Sequence, residues 1–119
     1  VVPLSFGEGA ARGISVPEGS AALQAQSILE RSTVVAAFHS TSAHDLLIPG
    51  QSIDSDVVVC ADDDNARGVV MRLAEKIKGG RAVNGGGLEN ARYVEGLTVL
   101  LININRIYKA RSSIKIGGI

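Results

Sequence analysis

The chain has 119 residues, the size of one small domain, and its 12 basic and 12 acidic residues give a formal charge of zero, which leaves no electrostatic footprint for nucleic acid or anionic lipid. The residues are 45% apolar but only 3% aromatic, so a core must be built from Val, Ile, Leu and Ala, and the stacking platforms of single-strand nucleic-acid binders are missing. Apolar runs too short for a membrane span, no secretory signal core and a lone Cys60 fit a cytoplasmic, reducing setting with a small-molecule or protein partner.

In chain order, Val1 to Leu4 reads as a short extended piece, and the glycines through Gly13 read as a loop. Ser20 is placed as the N-cap of a helix running to about Arg31 through Ala21, Ala22, Leu23 and Ala25. Thr33 to Phe38 is apolar and β-branched without alternation, the signature of a strand buried on both faces of a parallel sheet. His39 to Ile48 then forms a strand-end loop with a helical turn. Val57 to Cys60 is a second buried strand, followed by a helix whose stripe is Ala66, Val69, Val70, Leu73 and Ile77. Arg81 to Asn84 predicts a short strand. Leu88 to Lys109 predicts the longest helix, with one stripe at Leu97, Leu100, Leu101, Ile104, Ile107 and Tyr108 and further apolar surface at Val99 and Ile102. A helix apolar on two sides calls for two partners, read here as a subunit or domain contact. Ser113 to Ile116 closes the chain as a strand-like tail.

The chemistry-bearing residues are sparse. Gly85-Gly86-Gly87 lies between strand and helix, where anions bind helix N-termini, but Asn90 occupies the place of the third glycine of a dinucleotide fingerprint and no phosphate-loop lysine follows. A tight turn is the expected use. Asp62, Asp63 and Asp64 suit helix capping better than a metal, because carboxylates favour the positive end of the macrodipole. His39 and His44 lack partners at zinc-ligand spacing, and no serine has the setting of a nucleophile. Cys60, inside an apolar strand, reads as a small hydrophobe. His39 is the best placed of these residues, since ligands of open α/β sheets bind beyond the carboxyl ends of strands.

Five ordered strings carry a resemblance: Gly19-Ser20-Ala21-Ala22; Val35-Ala36-Ala37-Phe38-His39 with Ser42-Ala43; Val59-Cys60-Ala61-Asp62-Asp63; Gly86-Gly87-Leu88-Glu89-Asn90-Ala91-Arg92; and Leu100-Leu101-Ile102-Asn103. With the Ile114-Lys115-Ile116 tail, they resemble the C-terminal half of the coenzyme F420-dependent NADP oxidoreductases across residues 1–119, read as a single domain. The resemblance implies an α/β fold, the C-terminal part of a Rossmann-type oxidoreductase with a short, mainly parallel sheet and a long last helix. It also implies that the N-terminal dinucleotide-binding half lies elsewhere, either lost from a fragment, the favoured case, or carried by a separate subunit.

The implied activity is hydride transfer between reduced coenzyme F420 and NADP, with this chain supplying the deazaflavin side and with no catalytic or metal-ligating side chain assigned. By resemblance, His39, Ser40, Thr41 and Ala43 form the wall under the deazaflavin ring, Ser112 and Ser113 the tail segment that closes over it, and Pro3 and Leu4 the loop where nicotinamide and deazaflavin meet. A homo-oligomer is the implied assembly. The competing readings are a non-catalytic dimerisation or regulatory domain of the same descent, and a relative of the ferric or flavin reductases.

Overall fold

The computed structural model describes residues 1–119. Its elements are β1 (Leu4–Gly7), β2 (Ala10–Gly13), α1 (Ala21–Ile28), α2 (Ala43–Leu46), β3 (Ser55–Val59), α3 (Asp64–Ala74), β4 (Gly80–Asn84), a single 3-10 turn over Leu88–Asn90, and α4 (Ala91–Tyr108). β3 and β4 pair in parallel with Val57 opposite Ala82, and α3 makes the crossover between them, so this is the small parallel α/β unit with a long last helix that the sequence predicts. No helix is long and apolar enough to cross a membrane.

Two stretches pair differently from expectation. The expected loop from Leu4 to Gly13 is an antiparallel hairpin, Gly7 opposite Ala10, turned on Glu8 and Gly9, both at positive φ. That is the backbone of a two-residue hairpin turn, and Glu8 disguises it because a non-glycine residue is unfavourable there. Thr33 to Phe38 is extended but is no sheet strand: only Ala36 pairs, in one antiparallel bridge with Cys60. Val34, Val35, Ala37 and Phe38 are half-buried, so a continuous apolar run marked extended chain without fixing its partner.

The helices begin where their caps dictate. The Ser20 hydroxyl accepts from Leu23 N at 3.0 Å, and α1 ends at Ile28 rather than at Arg31, because the side-chain amide of Gln26 donates to the carbonyls of Leu29 and Ser32 and draws the chain out of the helix. Asp63 caps α3 by accepting from Ala66 N at 2.6 Å, and Asp64 pairs with Arg67. Asp62 turns the other way and accepts from Leu88 N at 2.9 Å. In the glycine turn, Gly86 N donates to Asn84 Oδ1 and Asn90 Nδ2 donates to the Gly85 carbonyl. A Cβ on Gly85 would come within 2.6 Å of Cys60 Sγ and of Val58, so this glycine is needed for close packing on β3.

The core is thin. One cluster joins Ala22, Ala36, Cys60, Leu88, Ala91 and Val94; the other, on the opposite face of β3, joins Val57, Val59 and Ala74. The predicted stripes are rotated. On α3, Val69 and Leu73 are more than half exposed while Ala74 is buried, and Ile77 lies past the helix end. On α4 the buried stripe is Ala91, Val94, Glu95 and Leu101, whereas Leu100, Ile107 and Tyr108 face outward. Leu101 belongs to both stripes; the rest of the inward face carries Ala91, Val94 and Glu95, and hydropathy misses it because Ala and a buried, hydrogen-bonded Glu95 score low. The tail from Ser113 to Ile116 forms no strand; it lies beside β3, with Asp56 N donating to the Ile114 carbonyl at 2.9 Å.

Candidate functional site

The chain leaves the Ala36 bridge, turns at Phe38, whose φ of 65° is left-handed, and closes with Thr41 N donating to the Phe38 carbonyl at 3.2 Å. This turn presents His39 to Ser42 against α4. Thr98 fixes it there, its hydroxyl lying 2.9 Å from the His39 carbonyl. Ser42 then caps α2 by accepting from Asp45 N.

Between this turn, α4 and the tail lies an open cleft of about 200 Å³, lined by His39 to Ser42, by Thr98, Leu101, Ile102 and Asn105 of α4, and by Arg111 and Ser112. The tail reaches it because Lys109 ends α4 in the left-handed conformation. Ser112 N then donates to Asn105 Oδ1 at 2.5 Å. Arg111 extends to α2, with Nε 3.4 Å from Asp45 Oδ1 and Nη1 3.1 Å from His44 Nδ1.

Three buried polar atoms around this cleft have no hydrogen-bond partner: His39 Nδ1, Thr41 Oγ1 and Ser112 Oγ. Leaving such a group unpaired costs about 1–3 kcal/mol. They come from two segments far apart in sequence, the His39 turn and the tail, brought to one cleft. His39 also lines an apolar groove of about 260 Å³ with Val1, Ala21, Ala22, Ala25, Val34, Val35, Ala37 and Glu95. Desolvation lowers its pKa, and the Glu95 charge acts in the opposite sense. A neutral imidazole offers one donor and one acceptor.

Of the eight residues assigned by resemblance, His39, Ser40, Thr41 and Ser112 line the cleft. Ala43 opens α2 beside it, and the Ser113 hydroxyl turns away to the Asp54 carbonyl. Pro3 and Leu4 lie in the hairpin, where the Pro3 carbonyl accepts from Ile14 N and Leu4 pairs with Gly13. The sequence reading passed over Ser42, Thr98, Asn105 and Arg111. Their signal was faint: Thr98 and Asn105 are polar interruptions of the apolar α4 sequence, at the spacing that puts both on the inward face.

No family model matches the chain. Among curated proteins it is similar to the F420-dependent NADP reductase of Methanocaldococcus jannaschii, with 38% identity over 114 residues, 94% of this chain and 51% of that protein. It is also similar to the reductases of that description from Methanothermobacter thermautotrophicus, 46% identical over 91% of this chain and 47% of the relative, and Methanothermobacter marburgensis, 45% identical over 84% and 46%. The chain thus spans about half the length of the curated relatives it matches, and they carry the resemblance drawn from the ordered strings. A crystal structure of a candidate F420-dependent NADP reductase from Arthrobacter sp. FB24 superimposes with a TM-score of 0.83 over 98% of this chain and 55% of that chain, at 23% identity. That likeness concerns the fold.

Proposed function

We propose that this chain, as one structural unit of residues 1–119, supplies the deazaflavin-binding half of a cytoplasmic oxidoreductase that transfers hydride between reduced coenzyme F420 and NADP. The convergence of His39 Nδ1, Thr41 Oγ1 and Ser112 Oγ, buried and unpaired around one cleft, carries the reading. The similarity to F420-dependent NADP reductases supports the choice of ligand.

The residues present fit such a group. A deazaflavin presents carbonyl and N–H edges around a flat apolar ring, and the cleft offers two hydroxyls and a neutral imidazole around the apolar side chains of Leu101 and Ile102. When bound, the deazaflavin supplies the carbon that takes or gives the hydride. The protein's work is placement and exclusion of water, which requires no acid, base or nucleophile among the side chains. Thr41, Ser112 and His39 would hold the group through their unpaired atoms, and Thr98, bonded to the His39 carbonyl, keeps that turn in place.

The nucleotide-binding half is assigned to a further segment or separate subunit. The outward face of α4, where Tyr93, Leu100 and Ile107 are more than half exposed, favours a homo-oligomer. The same face would serve a purely dimerising domain, so the measurement must be of ligand binding. Titration of the full-length protein with deazaflavin, followed by fluorescence quenching, should give saturable binding with free flavin at least tenfold weaker, about 1.4 kcal/mol. Thr41→Val and Ser112→Ala should each weaken it by about three- to tenfold. Unchanged affinity in both variants would remove the cleft as the site, and a preference for flavin would favour a flavin or ferric reductase.

A further inference from the structure

We propose that Asp56 is a positioning residue for the cleft: its carboxylate, gripped by Arg81, latches the C-terminal tail to β3 and thereby sets Ser112 against the His39 turn. The inference rests on the reading of that cleft as the deazaflavin site. It starts from a charge in an unusual place.

Asp56 is the second residue of β3 and is only 2% exposed. Alternate residues of β3 bond in opposite directions. Ser55 and Val59 bond to the β4 side, Ser55 N donating to the Gly79 carbonyl and the Val59 carbonyl accepting from Gly85 N. Asp56 and Cys60 bond to the other side. Cys60 exchanges both backbone bonds with Ala36, and Asp56 N donates to the Ile114 carbonyl, so the tail occupies this edge where the strand begins.

The side chains reinforce that junction. Arg81 Nε and Nη2 donate to the two Asp56 oxygens at 2.8 and 2.6 Å, and Ile116 N donates to Asp56 Oδ2 at 2.6 Å. Arg81 also donates to the Ile116 carbonyl at 2.6 Å and the Ile119 carbonyl at 2.8 Å. The ion pair thus grips tail backbone with both of its members. Hydrogen bonding to Arg81 holds the Asp56 carboxyl at about 2, well below the ordinary carboxylate range, so it stays charged.

Only the Asp56 side of this pair is buried, the Arg81 side chain being 46% exposed, and a buried carboxylate is costly unless it is paired and hydrogen-bonded, so its partners, Arg81 and the tail backbone, are held to one arrangement. The arrangement fixed here is that of a segment with no helix or strand of its own. Ser112 lies between the Asn105 anchor behind it and the Asp56 latch ahead. Without the latch, the side-chain hold beyond Ser112 falls to the long Ser113 contact and the Lys115–Asp54 pair, whose side chains are 61% and 81% exposed, and such surface pairs hold weakly.

Three variants of the full-length protein test this: Asp56→Asn, a chain ending after Ser113, and the two combined. Amide hydrogen exchange over residues 111–119, deazaflavin affinity by fluorescence quenching, and the KM values for deazaflavin and NADP are the readouts. Asp56→Asn should speed exchange of the tail, weaken deazaflavin binding about tenfold and raise its KM, with the KM for NADP unchanged. The truncation should have the same effect on affinity. The combined variant should be no worse than either, because each removes the same latch.

Equal rises in both KM values, additive losses in the combined variant, or wild-type affinity in the truncated protein would each overturn the proposal. Should Asp56→Asn fail to fold, the truncation decides alone, since it leaves β3 and the Asp56–Arg81 pair in place. A wild-type protein that does not quench deazaflavin fluorescence overturns the reading of the cleft itself. A wild-type protein that binds, with both single variants binding equally well, overturns only the latch.

Discussion

His39 stands where the polar cleft meets the apolar groove, and both surroundings act on its ring. Burial is the larger effect and lowers its pKa, with Glu95 opposing. A histidine held below its unfolded value leaves the protein less stable wherever the unfolded chain binds the proton and the folded chain does not. The stability contributed by neutral His39 is therefore complete above about pH 6.5 and lost as pH falls toward the lowered folded value. Thermal unfolding followed from about pH 7.5 to about pH 5.5 should show a falling midpoint, and His39→Gln should flatten that fall. An equal slope in the variant would place the titrating group elsewhere. His39 was legible in the sequence because it ends an apolar extended run. Thr98 and Asn105 were not, since a polar residue on an amphipathic helix looks the same whether it meets solvent or another segment's backbone.

At the scale of elements, α1 has eight residues, fewer than the roughly 12–15 at which even a favourable isolated helix becomes marginal. Its order comes from its first turn. Ser20 takes the Leu23 amide, while Glu95 of α4, only 4% exposed, takes the amides of Ala21 at 2.9 Å and Ala22 at 3.1 Å. A charged acceptor on two helix N-terminal donors both caps α1 and joins it to α4. Glu95→Ala should cost about 2–3 kcal/mol in urea denaturation, and Ser20→Ala about 1 kcal/mol. No measurable loss in Glu95→Ala would mean that the long-range carboxylate adds nothing to the local cap. The Ser20 cap was readable from sequence; Glu95 was not, because it lies 74 residues from its partner. The 33–38 segment fails similarly, since β-branched apolar residues favour extended chain but do not name the strand beside them.

For the whole molecule, exposed area is the informative quantity. The surface measures 7370 Å², against roughly 6,100 Å² for a folded monomer of this mass. The excess, roughly 1,300 Å², exceeds the ~800 Å² that each partner contributes to a standard interface. Part of it is apolar: Leu100 is 54% exposed, Ile107 73% and Tyr93 69%, on one side of α4. Sedimentation of this chain should reveal self-association, and Leu100→Glu with Ile107→Glu should shift it to monomer while leaving the far-ultraviolet helix signal in place. Monomer at all concentrations, with no change in the double variant, would remove this face as the homo-oligomer contact.

What the sequence determined by itself was local and compositional: the presence of the helices, the Ser20 and Asp63 caps, the parallel α/β unit with its long last helix, the loop that follows Phe38 and the resemblance to the F420-dependent NADP reductases. These follow from neighbours within a few residues, where propensity, capping and turn chemistry act. Tertiary structure alone decided which face of α4 is buried, that Ser112 returns to the His39 turn, and that Asp56 meets both Arg81 and the tail. Those outcomes depend on long-range hydrogen bonds that compete with hydropathy. A buried glutamate or aspartate becomes favourable only once folding has delivered its distant partners.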